Sequence, residues 1–259
     1  MELFSEIWTY REMIISLVKR DLKSRYKESV LGFFWMLLNP LLQLCVYTIV
    51  FSIIMRMQGI EKYYLYLFVA LVPWIFFSTC LANGTTIIIA QQDMVKKIYF
   101  PREILPISFV MAQFVNMSLS LIVVIFVSIL SGVKIKIEAI LYLPVIMIIE
   151  LILALGITMI MSALTVYFRD LEYIVNIISL SWMYLTPIMY PVEMVPEQFT
   201  KLFYLNPMTT ITIAYREVLY YGQTPNTKIL TNAIIMGLIF LILGFFTFHK
   251  LQKQFVEEL

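Results

Sequence analysis

The chain has 259 residues, of which 61% are hydrophobic and only 14% charged, with a formal net charge of +2 and a mean hydropathy of +0.87. A water-soluble domain carries about 45–50% apolar and about 25% charged residues, so the excess apolar surface has to meet lipid. The few charges sit in clusters between apolar runs rather than on one basic face, which gives no ground for a nucleic-acid partner.

Residues 1–27 read as an amphipathic helix lying on the membrane. Phe4, Ile7, Trp8, Ile15, Val18 and Leu22 recur at helical spacing, while Lys19, Arg20, Lys23 and Lys27 fall largely elsewhere on the wheel. That is the pattern of an interfacial helix with a basic face toward anionic headgroups, although Arg11 interrupts the stripe. No uncharged core precedes a small-residue cleavage site, so a signal peptide is not expected. A helix needs about 20 apolar residues to cross the hydrocarbon core. Charge-free stretches of sufficient length follow at 29–55, 63–92, 104–133, 173–192 and 229–249, and a further one at 139–168 carries only Glu150. The expectation is an all-α membrane protein: one transmembrane domain over 1–259, with six transmembrane helices. With the N-terminus inside, twelve lysines and arginines fall on the inner segments and seven on the outer ones, Arg216 among the latter. The bias puts both termini on the cytoplasmic side.

Between the fifth and sixth spans, residues 191–222 depart from a simple loop. Two short helical pieces, about 194–205 and 207–221, are separated at Asn206-Pro207. At a rise of about 1.5 Å per residue, neither crosses a core of about 30 Å. Pro187, Pro191 and Pro196 break the backbone just before them. Irregular backbone at membrane depth survives only when buried in protein or lining a cavity. The segment therefore reads as a re-entrant or interfacial helical hairpin on the outer side.

Enzyme signatures are missing. No two of the eight glycines are spaced for a dinucleotide fingerprint or a phosphate-binding loop, and one histidine, His249, is too little for a metal site or a triad. Cys45 and Cys80 lie inside apolar runs and read as small packed residues. Glu150, near the middle of its span, has to face the bundle or a wet cavity, pair with a neighbour, or be protonated. A hydrogen bond to a neighbouring helix is its favoured role. Tyr47 and Phe51, on one face of the first span, and Trp182, in the middle of the fifth, are deep enough to stack on sugar rings in a pore, or simply to pack.

Six segments in order then carry a resemblance: RYKESVLGFFWMLLNP (25–40), LVPWIFFS (71–78), VKKIYFPREILP (95–106), VYFRDLEYI (166–174), LTPIMYPVEMVP (185–196) and LNPMTTITIAYREVL (205–219). The chain resembles the membrane subunits of type-2 ABC transporters that export polysaccharides such as O-antigen, capsule and wall teichoic acid. The resemblance implies two copies of this chain around a lipid-linked polysaccharide in a bacterial cytoplasmic (inner) membrane. It also implies two copies of a separate ATP-binding-cassette subunit that holds ATP and magnesium, with no cofactor on this chain. Val95–Glu103, with Lys96, Lys97, Phe100, Pro101, Arg102 and Glu103, would be a coupling helix docked in the ATPase. The loop Tyr167–Leu171, with Arg169 and Asp170, would be a second contact. Leu31-Gly32 would stand at the substrate entrance, and Pro191, Pro196, Asn206 and Pro207 in an outer gate. Three rivals stay open: an ABC exporter of another lipid, drug or peptide; a free-standing secondary transporter using Glu150; and a membrane-bound enzyme, for which the acid-base or metal cluster is missing.

Overall fold

The computed structural model describes residues 7–26, 34–50 and 60–259. Leu31, Gly32 and Phe51 lie outside the described residues, as does the side chain of Tyr47. The described chain is helical: α1 (Arg11–Tyr26), α2 (Trp35–Thr48), α3 (Tyr63–Gly84), α4 (Gln92–Lys97), α5 (Ile104–Leu130), α6 (Leu143–Tyr167), α7 (Leu171–Leu185), α8 (Glu197–Leu205), α9 (Pro207–Leu219) and α10 (Thr227–Leu251), joined by short helical turns. Among the described residues, four helical stretches are long and apolar enough to cross a membrane: Tyr63–Gly84, Ile104–Leu130, Ile137–Tyr167 and Thr227–Glu258.

α3 is the hub. Its most apolar window is 78% buried, against 22% for that of the last span. α3 therefore packs on nearly all sides, while α10 turns most of its apolar surface outward, where only lipid or another protein can cover it. α6 and α10 cross very closely. A Cβ built on Gly156 would lie 2.4 Å from the backbone carbonyl of Phe240, and one on Gly244 would lie 2.4 Å from the Gly156 oxygen. Only glycine fits this crossing, as is usual where membrane helices approach backbone to backbone.

Several elements end earlier than the apolar runs suggested. The run 63–92 is helical only to Gly84 and resumes as a turn at Ile87–Ala90. The run 173–192 gives a helix that stops at Leu185, because the residue before a proline is driven out of helical conformation. Thr186 is extended, with φ −105° and ψ 134°. At 15 residues α7 measures about 22 Å. Only Val175 on it is buried, and Tyr173, Ile174, Ile177, Leu180 and Tyr184 stand exposed.

α1 packs along α5 with a face different from the expected stripe. Tyr10, Met13, Ile14 and Leu17 enter the core, whereas Trp8 and Ile15 are exposed on the opposite side. Cys80 is buried, but Cys45 is exposed on α2 rather than packed.

Candidate functional site

Chemistry-bearing residues gather at three levels of the bundle. At the end shared by α1 and the C-terminal turn, the segment expected to be one coupling helix divides in two. Residues 92–97 form α4, with Lys97 Nζ 3.0 Å from Asp93 Oδ1, and 98–103 are irregular. Lys96, Lys97, Ile98 and Tyr99 are exposed, and Phe100 is buried as an anchor. Arg102 and Glu103 turn inward instead. Arg102 Nη1 donates to the Gln252 carbonyl, and Gln252 Nε2 donates to Glu103 Oε1 at 2.6 Å. His249 Nδ1 lies 3.6 Å from that carboxylate, and Glu103 is buried. These two residues therefore hold the chain's own C-terminal segment. The C-terminal turn packs in the same apolar cluster as Val95 and Val166, with Tyr167 OH donating to the Leu251 carbonyl at 2.8 Å. This brings the α4 loop and the exposed Phe168, Arg169 and Asp170 to one end of the protein.

In the interior, Glu150 on α6 is fully buried and its Oε2 accepts from Tyr215 OH on α9 at 2.7 Å. Its Oε1 has no partner among the described residues. Nearly the whole length of α9, from Pro207 to Leu219, packs inside the bundle.

At the opposite end the backbone opens between Thr186 and Pro196, and three side chains, Arg216, Tyr63 and Asn206, close the freed polar groups. Arg216, counted from sequence as an outer surface charge, is 3% exposed. Its Nη1 and Nη2 donate to the carbonyls of Pro187 (2.5 Å) and Ile188 (2.6 Å), and its guanidinium lies 3.5 Å from the Tyr66 ring centroid. A carbonyl fan and an aromatic face replace the carboxylate that a buried cation would otherwise need. Tyr63 OH donates to the next carbonyl, Met189, at 2.7 Å.

Asn206 is the third closure, and it forms the break between α8 and α9. Its Oδ1 accepts from Met208 N (3.0 Å) as an N-cap, with Pro207 at the first helical position, where its missing N–H costs nothing. The same oxygen accepts from Trp182 Nε1 at 2.9 Å, while Nδ2 donates to Leu185 O (3.2 Å) and Thr186 Oγ1 (2.9 Å). Trp182 lies in the last turn of α7. Its ring meets the Phe77 ring edge-to-face, with centroids 5.2 Å apart. The ring also borders an apolar cleft of about 730 Å³ between α7, the hairpin and α10. Pro191 and Pro196 flank a 3-10 turn, Val192–Met194, in the same opened segment. From sequence, Asn206-Pro207 and the prolines at 187, 191 and 196 carried local signals for this site. Arg216 and Tyr215 carried none.

The family described as ABC-2 type transporter matches residues 12–220. The chain is 33% identical to an O-antigen export system permease protein RfbA of Myxococcus xanthus, covering 100% of both chains. It is 34% identical to a protein of the same name from Klebsiella pneumoniae, over 96% of this chain and 95% of that one. It is 23% identical to the polysialic acid transport protein KpsM of Escherichia coli, over 94% and 95% respectively.

Proposed function

The chain belongs to the ABC-2 type transporter family, and on that basis we propose that it is the pore-forming membrane subunit of an ATP-driven exporter of a lipid-linked polysaccharide. The observation that carries this reading is the end-to-end similarity to O-antigen export permeases. In this reading the chain crosses the cytoplasmic membrane six times: at the four long helices, at α2, and at α7 with the opened segment that follows it. α1 lies at the inner interface, and both termini are cytoplasmic.

Two copies form the conduit with closed symmetry. The exposed apolar face of α7 supports a second copy as its cover, because it is too short to span alone and too apolar for water. Two ATPase subunits carry ATP and magnesium. They meet the end that presents Lys96, Lys97, Ile98, Tyr99, Phe168, Arg169 and Asp170, with Pro101, Arg102 and Glu103 bracing that surface from behind. Leu31 and Gly32 serve the substrate entrance, and Tyr47 and Phe51 the path. Pro191, Pro196, Asn206 and Pro207 form the outer gate, through the hinge that Asn206 closes.

Depletion of the chain in its host, followed by analysis of lipid-linked polymers, tests the reading. A lipid-linked glycan should accumulate on the cytoplasmic side, and an ATP-binding-cassette subunit should co-purify with the chain. Normal glycan export in depleted cells overturns it.

A further inference from the structure

Thr79 on α3 and Gln113, Asn116 and Ser120 on α5 take no part in the end that holds α4, the Glu150 pair or the opened segment. They face a cleft of about 390 Å³ between α2, α3 and α5, within the range of about 300–1,000 Å³ typical of ligand sites. Its described lining holds no ionisable side chain. It is made of amides and hydroxyls beside aromatic rings: Asn39 on α2, Thr79 on α3, and Gln113, Asn116 and Ser120 on α5, with Trp35 and Phe76. Counted along α5 from Ile104, Gln113 to Ser120 stand about 14–24 Å into the bundle. That is membrane depth, where an unpaired amide is costly. Even so, Asn116 Oδ1 is buried with no partner among the described residues. Ser120 spends its hydroxyl proton on the Asn116 backbone carbonyl, at 3.0 Å.

The cleft is open at one side, where Trp35 is 40% exposed and Asn39 is exposed. It also continues toward the interfacial helix. A smaller cavity of about 200 Å³ lies between α1, α3 and α5, lined in part by Arg20, Asp21, Asn83, Thr86 and Ser108. Gln113 borders the first cavity and Asp21 the second, and Gln113 Nε2 donates to Asp21 Oδ2 at 3.4 Å. A polar groove thus runs along α5 from α1 to mid-bundle, and one long, weak hydrogen bond crosses it. α7 contributes no residue to either cavity.

We propose that this groove within a single protomer binds a sugar ring of the lipid-linked substrate, with Asn116, Thr79 and Asn39 meeting its hydroxyls, Trp35 covering its apolar face, and the Gln113–Asp21 bond opening to admit it. Uncharged amides and hydroxyls match a neutral polyhydroxyl ligand. A phosphate would call for cations, which the described lining of the cleft around Asn39, Thr79 and Asn116 lacks; Arg20 borders only the smaller cavity, beside Asp21. Trp35 offers an exposed indole face with the amphipathic character such a ring requires. The inference rests on the export reading above and adds where the glycan is held.

The test uses the complete permease–ATPase complex in lipid nanodiscs. Two probes are titrated: a polyprenyl diphosphate bearing one hexose, and the same polyprenyl diphosphate without sugar. Wild type should bind the sugar-bearing probe at least tenfold more tightly. Asn116→Leu and Thr79→Val should each remove most of that preference and leave the sugar-free probe unchanged. Asn116→Leu also removes an unpartnered buried oxygen, so the complex should stay at least as stable, and lost binding cannot be ascribed to unfolding. Equal weakening of both probes overturns the sugar assignment in favour of a shared lipid or diphosphate contact. Wild-type preference retained in both variants means the cleft holds water only and refutes the inference alone. A wild-type complex that binds neither probe refutes the export reading with it.

Discussion

Asn206→Ala probes the hinge between α7 and the hairpin. The substitution removes an N-cap, which contributes about 1 kcal/mol. It also strips the Trp182 indole N–H and the Leu185 carbonyl of a partner, at roughly 1–3 kcal/mol for a group that stays dry. The geometry is good at every contact, from 2.9 to 3.2 Å. The Trp182 site is only part-buried, however, so water recovers some of the loss. The expected destabilisation is about 2–4 kcal/mol. Trp182→Phe isolates one of the bonds, and the double variant closes a thermodynamic cycle. One neutral hydrogen bond with its orphaned partner gives an expected coupling of about 1–2 kcal/mol. Thermal unfolding of the purified complex measures the stability, and export rate per inserted complex measures the function. Additivity within about 0.5 kcal/mol would refute the bond as a structural link. A Trp182→Phe protein of unchanged stability that exports slowly would instead assign the ring to the path.

Gly156→Leu should prevent α6 and α10 from meeting, because its Cβ strikes the backbone of Phe240 rather than a movable side chain. Overpacking costs about 1–3 kcal/mol or more, and the yield of folded protein in membranes should fall sharply. Tyr215→Phe takes from Glu150 Oε2 its described partner, leaving neither oxygen paired among the described residues, and should cost about 1–3 kcal/mol. Glu150→Leu combined with Tyr215→Phe should recover most of that loss, and failure to do so would mean the carboxyl has a transport role. Arg216→Lys should destabilise the segment after α7, since one ammonium cannot span both carbonyls and the Tyr66 ring; limited proteolysis at 187–195 reads this out. At the coupling end, Tyr99→Ala should lower ATPase stimulation without loss of stability. Gln252→Ala should lower both, because it releases the buried Glu103.

The sequence by itself determined what depends on neighbours along the chain. Runs of uncharged residues located α3, α5, α6 and α10, because in lipid the backbone must pair within its own segment and only a helix achieves that. Asn206-Pro207 announced the break in the hairpin, because cap and first-turn proline are chemistry between adjacent residues. The exposed Lys96, Lys97, Arg169 and Asp170 were legible as charge between apolar runs. The partners of buried polar groups were not. Glu150 meets Tyr215 across 65 residues, Glu103 meets Gln252 across 149, and Arg216 reaches back 28 and 29 residues to carbonyls that only become available once α7 stops. A carbonyl carries no side-chain identity, so a row of letters cannot show that it awaits an arginine. For the same reason Arg216 looked like a surface charge, and Glu103 looked like part of an exposed contact. Gly156 and Gly244 carried no motif either, because what they accommodate is the backbone of another helix. Only the tertiary structure, which decides which segments lie side by side, could show what each of these residues is for.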